Sequence, residues 1–151
     1  MIEKADHLPK QQPERAIHAR WGDLTDVGFT AVPNTLIQAQ SALGLTSTDI
    51  VILLNFTLHW WDPDSHPYPR SNTIARRTGL STRTVQRTIK SLEERGFIKR
   101  FVDRGERFID LTPLRDKLKE VAPAFAWQRG KAAAKSSGER LGIQSQALGE
   151  L

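Results

Sequence analysis

The sequence predicts a mainly helical α+β domain with a small β-hairpin near its end. Apolar residues recur at helical spacing up to about residue 95, a short stretch rich in β-forming residues follows, and turn formers separate these segments. The 151 residues suffice for one domain of ordinary size with two tails. We expect a flexible N-terminal arm at 1–28, a domain at 29–121, and a tail at 122–151 that is disordered or docks on a protein partner.

The composition excludes several functional classes. The sequence has no cysteine, which excludes disulfides, thiolate metal sites and cysteine nucleophiles. No apolar run approaches the roughly 20 residues of a membrane span, and Met1–Gln12 is polar, unlike a signal peptide. Neither a nucleophile elbow nor a phosphate-cradling glycine motif occurs. We expect a cytoplasmic, nucleoid-associated protein that is not an enzyme and has no cofactor.

The basic charge is concentrated in one part of the chain. Residues 34–69 contain three Asp and no Lys or Arg. Residues 70–107 contain eleven Lys or Arg and four Asp or Glu, a net charge of +7, whereas the whole chain has +5. Such a local excess is typical of a face that binds a polyanion, although a solvated basic surface has the same composition.

The elements before the basic segment follow from caps and breakers. Phe29–Val32 predicts a short strand, and Asn34 can cap a helix that stops at Gly44. Thr46 can cap the next helix, in which Asp49 stands near the positively polarised end.

This next helix, residues 47–61, has apolar residues on almost every side. The pattern predicts that it is buried all round, in the domain core or partly in the seam of a homodimer. Because it lies in the acidic half of the sequence, away from the basic segment, we expect that Trp60 and Trp61 are not both buried within one monomer.

Residues 62–69 are dense in turn formers and predict a loop. His59, Asp62, Asp64 and His66 lie in or beside it and are residue types that ligate metals. Ordinary turn chemistry explains the aspartates, and no second cluster of ligands completes a coordination shell. We therefore predict no metal site.

Two helices joined by a glycine follow the loop. The first is expected at Ser71–Thr78, Gly79 suits a turn of positive φ, and the second helix begins at its cap Ser81 and runs to about Arg95. In the second helix the apolar positions Val85, Ile89 and Leu92 share one face. At about 100° per residue the opposite face carries Arg83, Arg87 and Lys90.

The end of the domain predicts a hairpin and a short helix. Gly96 ends the preceding helix, and the β-forming runs at 97–102 and 107–112 enclose a tip at Arg104 and Gly105. Pro113–Val121 predicts a final helix with Thr112 as a possible cap.

The runs at 68–75, 79–87 and 92–98 resemble the winged helix-turn-helix family of bacterial, phage and plasmid regulators and replication proteins. They are also similar to the N-terminal domain of DnaD-like primosomal proteins. Ala75, Gly79 and Val85 have the spacing of the helix-turn-helix signature, and a basic hairpin follows directly. The resemblance covers about residues 30–121. Arg70 departs from the pattern, because the family usually has a capping Ser there, and this shifts the expected start of the helix to Ser71.

The resemblance implies a sequence-specific protein that binds double-stranded DNA without enzymatic activity, most consistent with a transcriptional regulator of a bacterium or mobile element. A replication-initiation or primosome accessory protein is the alternative, which the absence of a second domain after the first makes less favoured. A winged helix that docks a protein partner and does not bind DNA is a further alternative.

The resemblance also implies that residues 81–95 form the recognition helix. Thr82, Arg83, Gln86 and Arg87 would lie nearest the bases, whereas Lys90 would meet phosphate. Thr84 can pack or cap as easily as touch DNA. The residues expected at the DNA are Arg70, Asn72, Arg76, Arg77, Ser81, Thr82, Arg83, Thr84, Gln86, Arg87, Lys90, Lys99, Arg100, Arg104 and Arg107.

Overall fold

The computed structural model describes residues 13–62 and 64–125, which divide into two units after Ala31. In the first unit, helix α1 (Pro13–Trp21) is followed by a 3-10 helix (Gly22–Val27). Proline in the first turn and Glu14 next to it favour this helix start, because the first N–H groups have no helical partner and form a positive end. Regular structure therefore occupies part of the segment that the sequence predicted as an arm, and residues 1–12 lie outside the described residues.

The predicted strand at Phe29–Val32 is absent, and these residues have no regular structure. In the described part of the chain the two strands of the sheet pair only with each other. Residues 29–32 thus have no neighbouring strand to receive their backbone hydrogen bonds, and a β-forming composition alone does not supply one.

The second unit begins with helix α2 (Asn34–Gln38). The prediction of Asn34 as its cap is wrong, because Pro33 occupies the cap position and its carbonyl accepts the N–H of Leu36 at 3.0 Å. The helix is also shorter than predicted, and turns lead from residue 39 to Gly44. There the N–H of Leu45 donates to the carbonyl of Gln40 at 2.8 Å, a bond typical of a helix C-terminal motif.

Helix α3 (Ser47–Thr57) has the predicted cap at Thr46. The Thr46 hydroxyl accepts the Asp49 N–H at 3.1 Å, and the Asp49 carboxylate accepts the Thr46 N–H at 2.9 Å, which completes a capping box.

Burial of α3 on all sides within the domain core is a wrong prediction, whereas partial burial in the seam of a homodimer stays a prediction. Ile52, Leu53 and Phe56 are buried, whereas the apolar residues of the opposite side are exposed. The helix ends at Thr57 instead of extending to 61, since the Thr57 hydroxyl bonds back to the Leu54 carbonyl and a turn follows. The prediction for the tryptophans is confirmed, because Trp61 is 76% exposed.

Helices α4 (Ser71–Thr78) and α5 (Thr82–Glu94) form the predicted pair. The turn between them requires Gly79, whose φ of +73° is strained for any residue with a Cβ. The Ser81 hydroxyl caps α5 by accepting the Thr84 N–H at 3.1 Å. Val85, Ile89 and Leu92 are buried, as their spacing predicted.

Strands β1 (Lys99–Asp103) and β2 (Glu106–Asp110) form an antiparallel hairpin, which we call the wing. Its register pairs Arg100 with Ile109. Arg104 and Gly105 lie at the tip, as predicted, and both have positive φ, as a two-residue hairpin turn of type I′ requires.

The last helix, α6, covers residues 112–125 of the described chain and thus passes the predicted end at 121. Thr112 is its first helical residue and not its cap, because the carbonyl of Leu111 already accepts the Arg115 N–H at 3.1 Å. Asp110 accepts the Thr112 N–H at 2.8 Å. Burial alone would raise the pKa of Asp110, but the hydrogen bonds from Thr112 and the nearby charges of His66 and Lys99 lower it.

One apolar core holds the second unit together. Side chains from every helix of this unit and from β2 contribute to it, and Phe56 is its largest fully buried side chain. Leu114 and Leu118 attach α6 to the core. None of the helices in the described residues is long and apolar enough to span a lipid bilayer.

Candidate nucleic-acid interface

Helix α5 presents a polar face to solvent opposite its buried stripe. The exposed residues of this face are Ser81, Thr82, Arg83, Gln86, Arg87 and Lys90. The orientation that the helical spacing predicts for the three cations of this face is therefore confirmed. Ser81 and Thr84 bond to each other at the helix start, where their hydroxyl oxygens lie 2.9 Å apart, so both act in the cap.

A cleft of about 690 Å³ separates α5 from the wing. We call it the wing-side cleft. Its polar lining comes from three elements: the start of α4, the N-terminal half of α5, and the wing. The predicted DNA-contacting residues that line it are Arg70, Asn72, Thr82, Gln86, Arg100 and Arg107.

Aromatic residues form one wall of the wing-side cleft. The rings of Phe101 and Phe108 stack with centroids 5.5 Å apart, and Tyr68 lies 6.0 Å from Phe108. Sequence reasoning assigned these residues only to the strands and the loop. Their alternate positions in β1 and β2 were the available signal, because cross-strand partners share a face.

A second cleft, of about 460 Å³, lies between α5 and the start of α3. We call it the α3-side cleft, and Arg87 and Thr84 line it together with hydroxyl side chains of both helices. The residues predicted to read bases therefore do not all line the same cleft. Thr82 and Gln86 face the wing, Arg87 faces α3, and Arg83 projects between the two clefts at about 100° of rotation per residue.

Four basic residues of the segment 70–107 are engaged with other side chains. Arg95 lies 2.8 Å from the buried Asp49, Arg100 bonds Glu93, and Lys90 lies 3.7 Å from Glu94. Arg77, the fourth, binds α3.

Arg77 differs from its neighbour Arg76, because its guanidinium reaches α3. It donates to Nε2 of His59 at 3.1 Å and to the side-chain oxygen of Asn55 at 3.4 Å. Burial and the charge of Arg77 lower the pKa of His59, which favours the neutral ring that accepts this bond. Arg77 is exposed, yet its guanidinium is hydrogen-bonded to α3 and to the turn after it.

Seven exposed cations of the segment 70–107 make no ion pair within the described residues. They are spread over α4, α5 and the wing. They are Arg70, Arg76, Arg83, Arg87, Lys99, Arg104 and Arg107. Because no carboxylate neutralises them there, an anion gains Coulomb energy near these side chains.

The residues weighed as metal ligands have other partners. His59 faces Arg77, and His66 packs edge-on against Phe101 at 5.0 Å. The Asp62 carboxylate accepts the Asp64 N–H at 3.0 Å, which is the turn chemistry predicted for this loop. Among the described residues no three such side chains converge on a point.

With this geometry in place, comparison with known sequences assigns the central part of the chain. Residues 43–98 match a family described as a helix-turn-helix domain. The matched segment contains α3, α4 and α5 and ends before the wing. In the matched segment α4 and α5, joined at Gly79, have the arrangement of a helix-turn-helix. The second helix of this arrangement is α5. Among curated proteins no sequence matches the chain significantly.

Solved structures are similar to this chain over a larger share of its length than the sequence match covers. The N-terminal domain of DnaD from Geobacillus kaustophilus HTA426 has a TM-score of 0.52 and 23% identity, with 75% of this chain and 96% of that chain covered. This likeness shows a shared fold.

Two further structures are similar at lower scores. MepR of S. aureus in complex with DNA has a TM-score of 0.48 and 18% identity, with 88% of this chain and 92% of that chain covered. A MarR/EmrR family transcriptional regulator from Acinetobacter sp. ADP1 has a TM-score of 0.40 and 23% identity, with coverages of 91% and 94%.

Proposed function

We propose that the protein binds double-stranded DNA in a sequence-specific manner and acts as a transcriptional regulator without enzymatic activity. The observation that carries this proposal is the exposed face of α5, where Arg83 and Arg87 stand without carboxylate partners in the described chain on the recognition helix of a helix-turn-helix domain. In such domains the N-terminal part of that helix enters the major groove.

The side chains of α5 suit the reading of base edges. Arg83 and Arg87 can each bond the O6 and N7 atoms of guanine, and Gln86 can bond adenine with two hydrogen bonds. Thr82 stands beside Gln86 in the wing-side cleft, within reach of the same strand. Lys90 is partnered by Glu94, so we assign it to phosphate at most.

The remaining cations suit the backbone on either side of the major groove. With α5 in the groove, one DNA strand would run along the wing-side cleft, where Arg70, Asn72 and Arg107 can bond its phosphates. Arg104 and Lys99 would meet the next stretch of backbone or a narrow minor groove. Arg76 would contact phosphate, whereas we expect less from Arg77 and Arg100 because other side chains hold them.

A role in replication is the second candidate. The observation that favours it is the fold shared with the N-terminal domain of DnaD. Both candidates require binding to duplex DNA, so the same binding experiments apply to both. Location of the preferred site in a promoter or at a replication origin distinguishes them.

The test separates base readers from phosphate contacts. Selection from a random duplex pool first supplies a preferred site. On this site Arg83→Ala or Arg87→Ala should cost about 1 to 3 kcal/mol of binding free energy, and much less on a scrambled duplex, because bidentate base contacts exist only on the right sequence. Arg104→Ala should weaken both duplexes by similar factors.

Binding titrations of each variant on both duplexes make the comparison. If Arg83→Ala and Arg87→Ala weaken both duplexes equally, α5 is an electrostatic cradle and does not read bases. If neither wild type nor variants bind duplex at low salt, the winged helix docks a protein instead, and the proposed function is wrong.

We also propose that the protein forms a homodimer through the apolar side of α3 and the turn after it. Leu54, Leu58 and Trp61 are exposed there, and a cleft of about 290 Å³ with an almost wholly apolar lining lies nearby between α2, Trp60 and α6. Residues 34–69 have no Lys or Arg, so pairing through them would leave the basic face free.

For the dimer, we expect Leu58→Ser with Trp61→Ser to raise the dissociation constant at least about tenfold, because exposed aromatic and aliphatic anchors dominate such contacts. Sedimentation equilibrium measures this constant. Val102→Ser, which removes an exposed apolar side chain of the wing, is the control and should leave it unchanged. A wild-type monomer at high micromolar concentration, with and without DNA, would exclude the dimer.

A further inference from the structure

Glu93, near the end of α5, holds the wing at its base. Its Oε1 accepts the backbone N–H of Arg100 at 3.1 Å, and its Oε2 accepts Nε of the same residue at 2.7 Å. The hydrogen bond from the Arg100 side chain is the main reason that the pKa of Glu93 lies below its usual value, although partial burial opposes it. Glu93 therefore binds the strand by main chain and side chain together.

The same level of the hairpin is held from its other side. Arg100 and Ile109 are direct partners in the register of β1 and β2. The N–H of Ile109 donates to the carbonyl of Pro67 at 3.0 Å, and Pro67 is buried. Glu93 and Pro67 thus accept hydrogen bonds from the outward N–H groups of one cross-strand pair. The wing projects beyond this pair toward its tip.

The end of α5 is itself fixed to the domain. Arg95 lies 2.8 Å from the Asp49 carboxylate and donates to the Gly44 carbonyl at 3.2 Å. Gly96, with φ of +76°, reverses the chain, and Phe97 is buried directly after it. Glu93 accordingly connects the wing to a helix end that cannot shift without breaking the ion pair of Arg95 with the buried Asp49.

The wing tip is far enough from this connection that a small tilt of the wing would move the tip by more than the spread of hydrogen-bond lengths. Arg104 stands four residues beyond Arg100, which corresponds to about 13 Å along a strand. A tilt of about 10° at Arg100 would displace the tip by about 2 Å, more than the spread of hydrogen-bond lengths allows. Contacts made by Arg104 thus depend on the angle of the wing.

We propose that Glu93 is a positioning residue for DNA binding, which fixes the angle of the wing to the recognition helix and thereby the reach of Arg104. This rests on the proposed function, because it concerns how the wing meets the DNA. Sequence patterns assigned Glu93 no role and assigned Arg100 to the DNA.

Glu94 provides a matched control for Glu93. It is the next residue of the same helix, and its pair with Lys90 is exposed and does not involve the wing. Glu93→Ala and Glu94→Ala each remove one negative charge, each introduce a good helix former and each release one cation, Arg100 or Lys90, from its carboxylate, so they are matched in charge.

We expect Glu93→Ala to bind the preferred duplex about fivefold more weakly than Glu94→Ala. This factor corresponds to the free energy of one well-aligned exposed ion pair. When both are combined with Arg104→Ala, the difference should fall below about twofold, because the tip no longer makes the contact that depends on the angle. Glu93→Gln, which keeps an acceptor for the Arg100 N–H, should recover part of the loss. A general loss of stability would persist in the Arg104→Ala background and would not follow this pattern.

A measurement without DNA separates this proposal from the proposed function. Amide hydrogen exchange by NMR should be at least about tenfold faster for the Arg100 N–H in Glu93→Ala than in Glu94→Ala, because its acceptor is gone. Equal exchange rates would overturn the role of Glu93 whether or not the protein binds DNA. Equal DNA affinities of the two variants, or tighter binding by Glu93→Ala, would overturn it as well. Faster exchange in a protein that does not bind duplex would reject the proposed function and, with it, the role of the wing angle in binding.

Discussion

The affinity of the protein for duplex DNA is expected to fall about a thousandfold when the salt concentration rises from about 50 to about 200 mM. The reason is the set of seven exposed cations of the segment 70–107 that make no ion pair within the described residues. Each phosphate that such a cation neutralises releases condensed counterions, and the free energy of their release falls as salt is added. Six or more contacts give a slope of about −5 to −6 in a plot of log affinity against log salt.

Fluorescence anisotropy of a labelled duplex at several salt concentrations measures this slope. Arg104→Ala and Arg107→Ala should each reduce it by about one. Arg115→Ala is the control, because Arg115 is paired with Asp116 on α6, outside both clefts, and should leave the slope unchanged. A change in affinity of less than about threefold over this range would exclude phosphate neutralisation as the main source of binding.

The replacement Arg95→Ala is expected to lower the free energy of unfolding by about 3 kcal/mol, at the lower end of the effect of breaking a buried ion pair. The Asp49 side chain is only 4% exposed, whereas that of Arg95 is 34% exposed. Without Arg95 the carboxylate keeps its hydrogen bond from the Thr46 N–H but has no counter-charge in a place that water reaches poorly. The loss of the bond to the Gly44 carbonyl and of the stacking on Phe97 adds to the effect.

Urea denaturation measures this loss. Arg115→Ala, which breaks an exposed pair of the same kind, should cost less than about 0.5 kcal/mol. The double variant Asp49→Asn, Arg95→Ala should be more stable than the sum of the single effects predicts, because the uncompensated charge is gone. If Arg95→Ala and Arg115→Ala are equally mild, Asp49 is hydrated in solution and the pair does not hold α5 to α3.

The parts of the fold that the sequence predicted are those with local causes. The cap at Ser81, the turn at Gly79, the stripe of Val85, Ile89 and Leu92, and the hairpin tip at Gly105 each depend on residues within a few positions. Their physical causes, which are hydrogen bonds of caps, positive φ and helical periodicity, can be recognised in one short stretch of sequence.

The parts that could not be predicted depend on distant partners. The pairing of Asp49 with Arg95 joins residues 46 positions apart, and nothing near either residue indicates the other. A helix that is apolar on every side, such as α3, does not reveal which side the rest of the domain will cover. Likewise, the bond of Arg77 to His59 depends on how α4 packs on α3, and the sequence analysis placed Arg77 only among the residues expected at the DNA.

The way in which the wing is held also bears on how many copies of the protein can crowd together on DNA. A two-stranded sheet has two open edges, and open edges invite strands of other molecules to pair with them and to aggregate. Here the Glu93 carboxylate and the Pro67 carbonyl occupy those edges at the level of Arg100 and Ile109. Copies bound side by side at high local concentration would therefore find the outward N–H groups of Arg100 and Ile109 already bonded, which disfavours pairing of strands at the base of their hairpins.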